Sequence, residues 1–223
     1  MSPNVSLMKK LIMFDLDGTI VDTILDLMNA VNYSLLCLKK KPRTKEEILK
    51  FVGNGIRNLV LRSLDNDETF LEEALALFKE YYHSHCLDNS KPYEGIFAVM
   101  DYCKENNIKM AVVSNKENTL TNKICQAYFK EYMDLFIGER PNVLKKPDPT
   151  GVLEVMNLYG IKAHEALYIG DSDVDIKTAQ NASIDAIIVS YGFRNREFLE
   201  ELKAKCIVDT PFELLEEIKK IAN

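Results

Sequence analysis

Along the chain, short runs of consecutive apolar residues alternate with longer stretches in which apolar residues recur every three or four positions. The runs at residues 11–14, 110–113, 135–137, 166–169 and 186–189, with a weaker one at 206–208, are nearly all apolar. That is the pattern of strands covered on both faces. The stretches 95–106, 117–128, 149–158, 172–181 and 211–221 carry the helical period instead. Strand alternating with helix predicts an α/β fold, a three-layer Rossmann-like core whose parallel sheet is joined by right-handed crossovers.

The first two strands break the rhythm, because roughly ninety residues separate them where a crossover needs about a dozen. That interval reads as helix. Asp22 is placed to cap a helix to residue 38, stretches 45–51 and 54–64 follow, and Asp67 opens a long helix towards Cys86. We therefore expect an all-helical cap domain at residues 23–89, inserted into a core built from 1–22 and 90–223. The segment Lys91-Pro92-Tyr93-Glu94-Gly95 marks the return. Ligands of open α/β sheets bind beyond the carboxyl ends of the strands, so the chemistry is sought there.

Four strand ends carry polar residues, and each also has an ordinary structural reading. The first strand runs into Asp15-Leu16-Asp17-Gly18-Thr19. Asp-Gly is a common turn, yet two carboxylates at the mouth of a buried strand repel each other unless a cation lies between them. After the second strand, Ser114-Asn115-Lys116 reads as the N-cap of the next helix, where free N–H groups also suit a phosphate. Beyond the third, Lys145-Lys146-Pro147-Asp148-Pro149 reads as a solvated loop, stiffened by two prolines that could aim one ammonium group. The fourth ends Gly170-Asp171-Ser172-Asp173-Val174-Asp175. Asp171 there is either a helix cap or part of an oxygen-rich magnesium site, and the glycine and glutamate of a calcium-binding EF-hand loop are missing.

Composition narrows the field further. The chain has 223 residues, 47% hydrophobic and 28% charged, as in a globular protein large enough for a sizeable core. A net charge of −6 argues against a nucleic-acid partner, which needs clustered basic residues. Five scattered cysteines without a C-x-x-C pair suggest neither a disulfide framework nor a zinc site. With no apolar run long enough for a membrane span, the expected setting is cytoplasmic.

Taken together and in order, Asp15-x-Asp17-Gly-Thr-x-x-Asp22, Ser114-Asn115, Lys146-Pro-Asp-Pro and Gly-Asp171-Ser-x-x-Asp175 resemble the four motifs of the haloacid dehalogenase superfamily. The resemblance spans nearly the whole chain. Val52-Gly53-Asn54-Gly55, Tyr81-Tyr82, the Lys91 to Gly95 segment and Ser190-Tyr191-Gly192-Phe193 resemble phosphoglycolate phosphatases more narrowly. Glu94 stands where such proteins often have proline.

That resemblance implies a magnesium-dependent phosphatase acting on a small phosphorylated metabolite, with phosphoglycolate favoured. It implies Asp15 as nucleophile, passing through an aspartyl phosphate, and Asp17 as the acid and base. Thr19, Ser114, Asn115 and Lys146 are implied as phosphate ligands. Asp15, the Asp17 carbonyl and Asp171 are the implied ligands of Mg²⁺, supported by Asp175. In the cap, Asn54, Gly55 and Arg57 are candidates for substrate choice. A phosphomutase related to β-phosphoglucomutase, or a pyrophosphatase, would use the same motifs. A dehalogenase would have no need of Asp17 as a proton donor.

Overall fold

The computed structural model describes residues 8–53, 55–133, 135–141 and 143–222. The chain forms two compact units, one comprising the residues up to Ile20 with those from Pro92 onward, the other Val21–Lys91. Among the described residues no helix is long and apolar enough to cross a membrane.

In the larger unit, β1 (Leu11–Phe14) lies at the centre of the sheet. The chain crosses between the units at β2 (Val21–Asp22) and β3 (Lys91–Pro92), which pair as a two-stranded sheet the apolar pattern did not reveal. The core resumes with β4 (Lys109–Glu117), β5 (Phe136–Glu139), β6 (Ala166–Gly170), β7 (Asp185–Val189) and β8 (Ile207–Val208). The six-stranded order is β5-β4-β1-β6-β7-β8, with every pairing parallel. The order reverses at β1, and the ends of β4, β1 and β6 stand side by side there.

The all-apolar β1 and β6 are buried along their whole length. On one face Leu11, Met13, Ala111, Val113 and Tyr168 pack against Val152, Val155 and Met156 of α7 (Thr150–Tyr159) and Ala179 of α8 (Asp173–Ala182). Residues of opposite parity, Ile12, Phe14, Met110 and Val112, are buried as well. Both sides of the sheet are therefore covered, which is why its strands read as unbroken apolar runs. The remaining core helices are α5 (Ile96–Glu105), α6 (Asn118–Tyr128), α9 (Arg196–Glu201) and α10 (Pro211–Ala222).

The smaller unit is built from α1 (Ile24–Cys37), α2 (Lys45–Phe51), α3 (Ile56–Ser63) and α4 (Leu71–His85). Its principal packing is α1 on α4. Ile24, Leu27, Ala30, Val31 and Leu35 form the buried stripe of α1, at the spacing of one helix face. Leu71, Ala74, Leu75, Phe78 and Tyr82 do the same on α4. Thr44 and Glu47 close a reciprocal capping box on α2. At the start of α1 the N-cap residue is Thr23 rather than Asp22, although Asp22 Oδ1 still accepts the Ile24 N–H at 3.2 Å.

Two local expectations at the strand ends fail. The second core strand does not stop at Val113 but runs to Glu117, with a register shift against β5, so Ser114 and Asn115 lie within β4 instead of capping a helix. Pairing with β5 resumes at Glu117 with Glu139, and the next helix starts only at Asn118. On α8 the N-cap is Ser172, which closes a capping box with Asp175, and not Asp171.

Candidate active site

The ends of β1, β4 and β6 and the loop before α7 bring together Asp15, Asp171, Asp175 and Lys146. Asp15 follows the last residue of β1, where its N–H still continues the sheet by donating to the Ile169 carbonyl at 2.8 Å. Its Oδ1 accepts from the Leu16 N–H at 2.7 Å and lies 3.1 Å from the Lys146 ammonium as an ion pair. Among the described residues nothing bonds its Oδ2.

Lys146, a solvated-loop residue on local pattern alone and a phosphate ligand by resemblance, has a side chain only 4% exposed. It donates hydrogen bonds to Asp175 Oδ1 at 2.7 Å and to the Tyr168 hydroxyl at 2.8 Å, and forms an ion pair with Asp15 Oδ1 at 3.1 Å. Tyr168 in turn donates to the Val113 carbonyl at 2.8 Å. Asn115 sets the backbone of this loop, donating to the Lys146 carbonyl at 2.9 Å and accepting its N–H at 2.7 Å. Its neighbour Lys145 lies on the surface, paired with Glu139.

The two acids after β6 differ in what they leave available. Asp175 is saturated, its Oδ1 by Lys146 and its Oδ2 by the N–H groups of Asp171 and Ser172 and the Ser172 hydroxyl. Asp171 accepts at Oδ2 from the Phe193 N–H at 2.7 Å, and no described residue bonds its Oδ1. Ligand oxygens of Asp15, Asp171 and Asp175 lie within 4.8 Å of one another. Gly18 turns the chain beside them at φ 80°, and a Cβ there would collide with the Asp171 carboxylate. That loop therefore requires glycine for its conformation and for space.

Electrostatics match the crowding. Burial, and then the charges of Asp175 and Asp17, push Asp15 up to about 6 even though Lys146 pulls the other way. Burial, with Asp175 and Asp15, raises Asp171 well above the usual carboxylate range. For Lys146 burial opposes the charge, but Asp15 and Asp175 outweigh it and hold the ammonium well above its ordinary pKa. Asp15, Asp17, Asp171 and Asp175 outnumber the ammonium groups of Lys146 and Lys116 by two. An all-oxygen donor set with that excess fits a hard divalent cation such as Mg²⁺. Among the described residues the buried Thr19 hydroxyl finds no hydrogen-bond partner, an orphan polar atom of the kind a bound oxygen would satisfy.

The other residues singled out by sequence fall as follows. Asp17 is partly exposed and pairs with Lys116, at 3.0 and 3.1 Å to its two carboxylate oxygens. The Ser114 hydroxyl accepts the Lys116 N–H at 3.3 Å. In the smaller unit Gly55 is the N-cap of α3, Arg57 makes an exposed pair with Glu72 at 2.7 Å, and Asn54 lies outside the described residues. Sequence reasoning passed over Lys116, Tyr168 and the Phe193 N–H. Lys116 was visible in principle: had the strand been extended past Val113, its two-residue period would have put Ser114 and Lys116 on one side.

A parallel sheet whose strand ends gather carboxylates and a buried lysine defines a haloacid dehalogenase-like hydrolase. The chain belongs to that family, which its residues 12–189 match. It is 34% identical over 215 residues to phosphoglycolate phosphatase 1 of Pseudomonas aeruginosa, covering 92% of this chain and 78% of that protein. The phosphoglycolate phosphatase of Nitrosospira multiformis is 30% identical over 218 residues, covering 95% and 96% of the two chains. A solved structure from Lactobacillus delbrueckii subsp. bulgaricus, provisionally named a phosphoglycolate phosphatase, superposes with a TM-score of 0.91 and 33% identity. That match covers 95% of this chain and 98% of the other. The protein is thus a phosphatase of the haloacid dehalogenase superfamily.

Proposed function

We propose that the enzyme hydrolyses a small phosphomonoester, phosphoglycolate before others, through an aspartyl phosphate on Asp15. What supports this reading is an Asp15 Oδ2 and a buried Thr19 hydroxyl without partners among the described residues, beside the buried Lys146 ammonium that pairs with Asp15. The nucleophile and the oxygen-binding groups meet at one point.

In the first step a carboxylate oxygen of Asp15 attacks phosphorus, the ester P–O bond breaks, and Asp17 gives a proton to the departing oxygen. In the second, Asp17 takes a proton from water as its oxygen attacks the phosphoryl group, and Asp15 leaves as carboxylate. Asp15 must be ionised to attack. Lys146 favours that form, and through Asp175 and Tyr168 it is held fixed while doing so. One carboxylate oxygen of Asp15, the open oxygen of Asp171 and the Asp17 carbonyl are the ligands we assign to Mg²⁺, leaving the other Asp15 oxygen to attack; when bound, the ion would supply the positive charge that an anionic nucleophile needs to approach a phosphate. Asp175 supports that set without spare oxygens of its own. Thr19 and Ser114 are read as donors to phosphoryl oxygens. Asn115 acts first on Lys146.

We assign residues 23–89 to a cap that governs substrate choice, with Gly55, Arg57 and Asn54 as the residues that recognise a second anionic group. Similarity to phosphoglycolate phosphatases over most of the chain supports phosphoglycolate as that substrate. A panel of phosphorylated metabolites assayed for phosphate release with Mg²⁺ tests the reading. Phosphoglycolate should give the highest kcat/KM. Release of pyrophosphate's phosphate alone, or isomerisation of a sugar phosphate without release, would replace it with the pyrophosphatase or the mutase.

A further inference from the structure

Two buried ammonium groups belong to this site, and only Lys146 faces the nucleophile. Lys116, on β4, has a side chain 2% exposed and reaches both oxygens of Asp17, at 3.0 and 3.1 Å. Its main chain is held equally firmly. The Lys116 N–H donates to Ser114 Oγ, and its carbonyl accepts the Thr121 hydroxyl at 3.1 Å. A Cβ on Gly138 of β5 would come within 2.6 Å of that carbonyl, so the neighbouring strand leaves space for it.

Taken as a whole, a buried ion pair is a weak source of stability, because replacing both partners by apolar groups is often neutral. The placement of this one has a different consequence. An aspartate side chain left unpaired can change rotamer and swing away, whereas a buried ammonium bonded to both oxygens anchors the carboxyl group in one place. A proton carrier has to meet its target within hydrogen-bond reach, and misplacement by about 1 Å costs on the order of 10²-fold in rate.

We propose that Lys116 is a positioning residue for Asp17, fixing the carboxylate that carries the proton to the leaving group. This rests on the reading of Asp17 as proton carrier. Lys116 itself touches neither the ester nor the phosphoryl group in this scheme. Its removal should therefore matter in proportion to how much the leaving oxygen needs a proton.

The test compares kcat/KM, which reports phosphoryl transfer to Asp15, for an alkyl ester such as phosphoglycolate and for p-nitrophenyl phosphate, whose leaving group needs little protonation. Lys116→Met should lose at least about tenfold more on the alkyl ester than on the aryl one, a part of the general-acid contribution of about 10²–10⁴. Lys116→Arg, keeping the cation, should recover part of that selective loss; Lys116→Met, which leaves Asp17 without its cation, should also lower the unfolding temperature, so rates are compared per folded molecule and as the ratio of the two esters. In an Asp17→Asn background the Lys116→Met change should have almost no further effect, the non-additivity of two residues acting as one. Equal losses on both esters, no loss, or full additivity with Asp17→Asn would overturn the proposal. If Lys116→Met does not fold, Lys116→Arg alone decides, since an alkyl-selective loss upholds the proposal and its absence refutes it. Failure of the wild-type protein to release phosphate from any ester would instead refute the function on which the proposal stands.

Discussion

Each unit of the molecule holds carboxylates that are largely withdrawn from water, and the two units treat them in opposite ways. In the helical unit Asp26 is 1% exposed, and its two oxygens accept from the Asn89 N–H and amide and from the Ser90 N–H and hydroxyl. Neutral donors satisfy it completely, stitching the start of α1 to the end of the unit. In the core, Asp15 and Asp171 each keep an oxygen without a described partner and sit among further acids, with pKa values driven upward. A buried acid surrounded by donors holds a fold together. Buried acids crowded against one another, with oxygens to spare, call for a cation and a substrate.

The contrast is sharpest if each acid is removed. Asp15→Asn should abolish phosphate release, by at least about 10⁴-fold as for loss of other covalent nucleophiles, while the metal-free protein unfolds no lower than wild type. Activity assays and thermal melts in chelator read the two effects separately, and a variant with residual activity near wild type would end the assignment. Asp26→Ala should do the reverse. Removing a buried carboxylate that accepts from four donors, two of them on buried Ser90, should cost about 3 kcal/mol of stability, with activity per folded molecule retained at low temperature. An unchanged melting temperature would show that Asp26 is not the clasp described.

Metal and pH give the next largest effect. Because burial raises Asp15 to about 6 from 3.8, the metal-free folded state binds more protons than the unfolded chain between those values. Stability of the metal-free protein should therefore fall as pH rises through that window and stay low above it, by an amount on the order of 3 kcal/mol. Mg²⁺ competes with those protons. Its addition should raise the melting temperature more at about pH 7.5 than at about pH 5, and calorimetry should detect proton release on binding. A magnesium effect independent of pH would remove Asp15 from the ligand set.

The smallest effect concerns the helical unit's part in choosing a substrate. Arg57 lies on the exposed face of α3 and pairs with Glu72. Arg57→Gln should cost little stability, since exposed pairs contribute at most about 1 kcal/mol. It should lower kcat/KM for phosphoglycolate a few-fold relative to p-nitrophenyl phosphate if this residue attracts the second anionic group. Equal change on both esters would strip it of that role.

Much of this was legible in the chain itself. Fully apolar runs such as Leu11 to Phe14 have no other stable place than a sheet covered on both sides, so the α/β class followed from the pattern. The four acid-and-lysine motifs were legible because each comes directly after such a run or in the loop beyond it. What sequence could not decide was how far a strand continues and which oxygens are left over. The extension of β4 to Glu117 depends on pairing with β5, a partner some twenty residues away, and local propensity at Ser114 and Asn115 favoured a cap instead. Whether Asp171 or Asp175 keeps a free oxygen depends on donors from Phe193 and Lys146, brought there by other strands. Hydrophobic period is a local property of the chain, whereas hydrogen-bond saturation and charge crowding are properties of neighbours in space. The sequence therefore determined the class and the candidate residues, and only the tertiary structure decided which of their oxygens and ammonium groups are paired, because those partners come from distant parts of the chain.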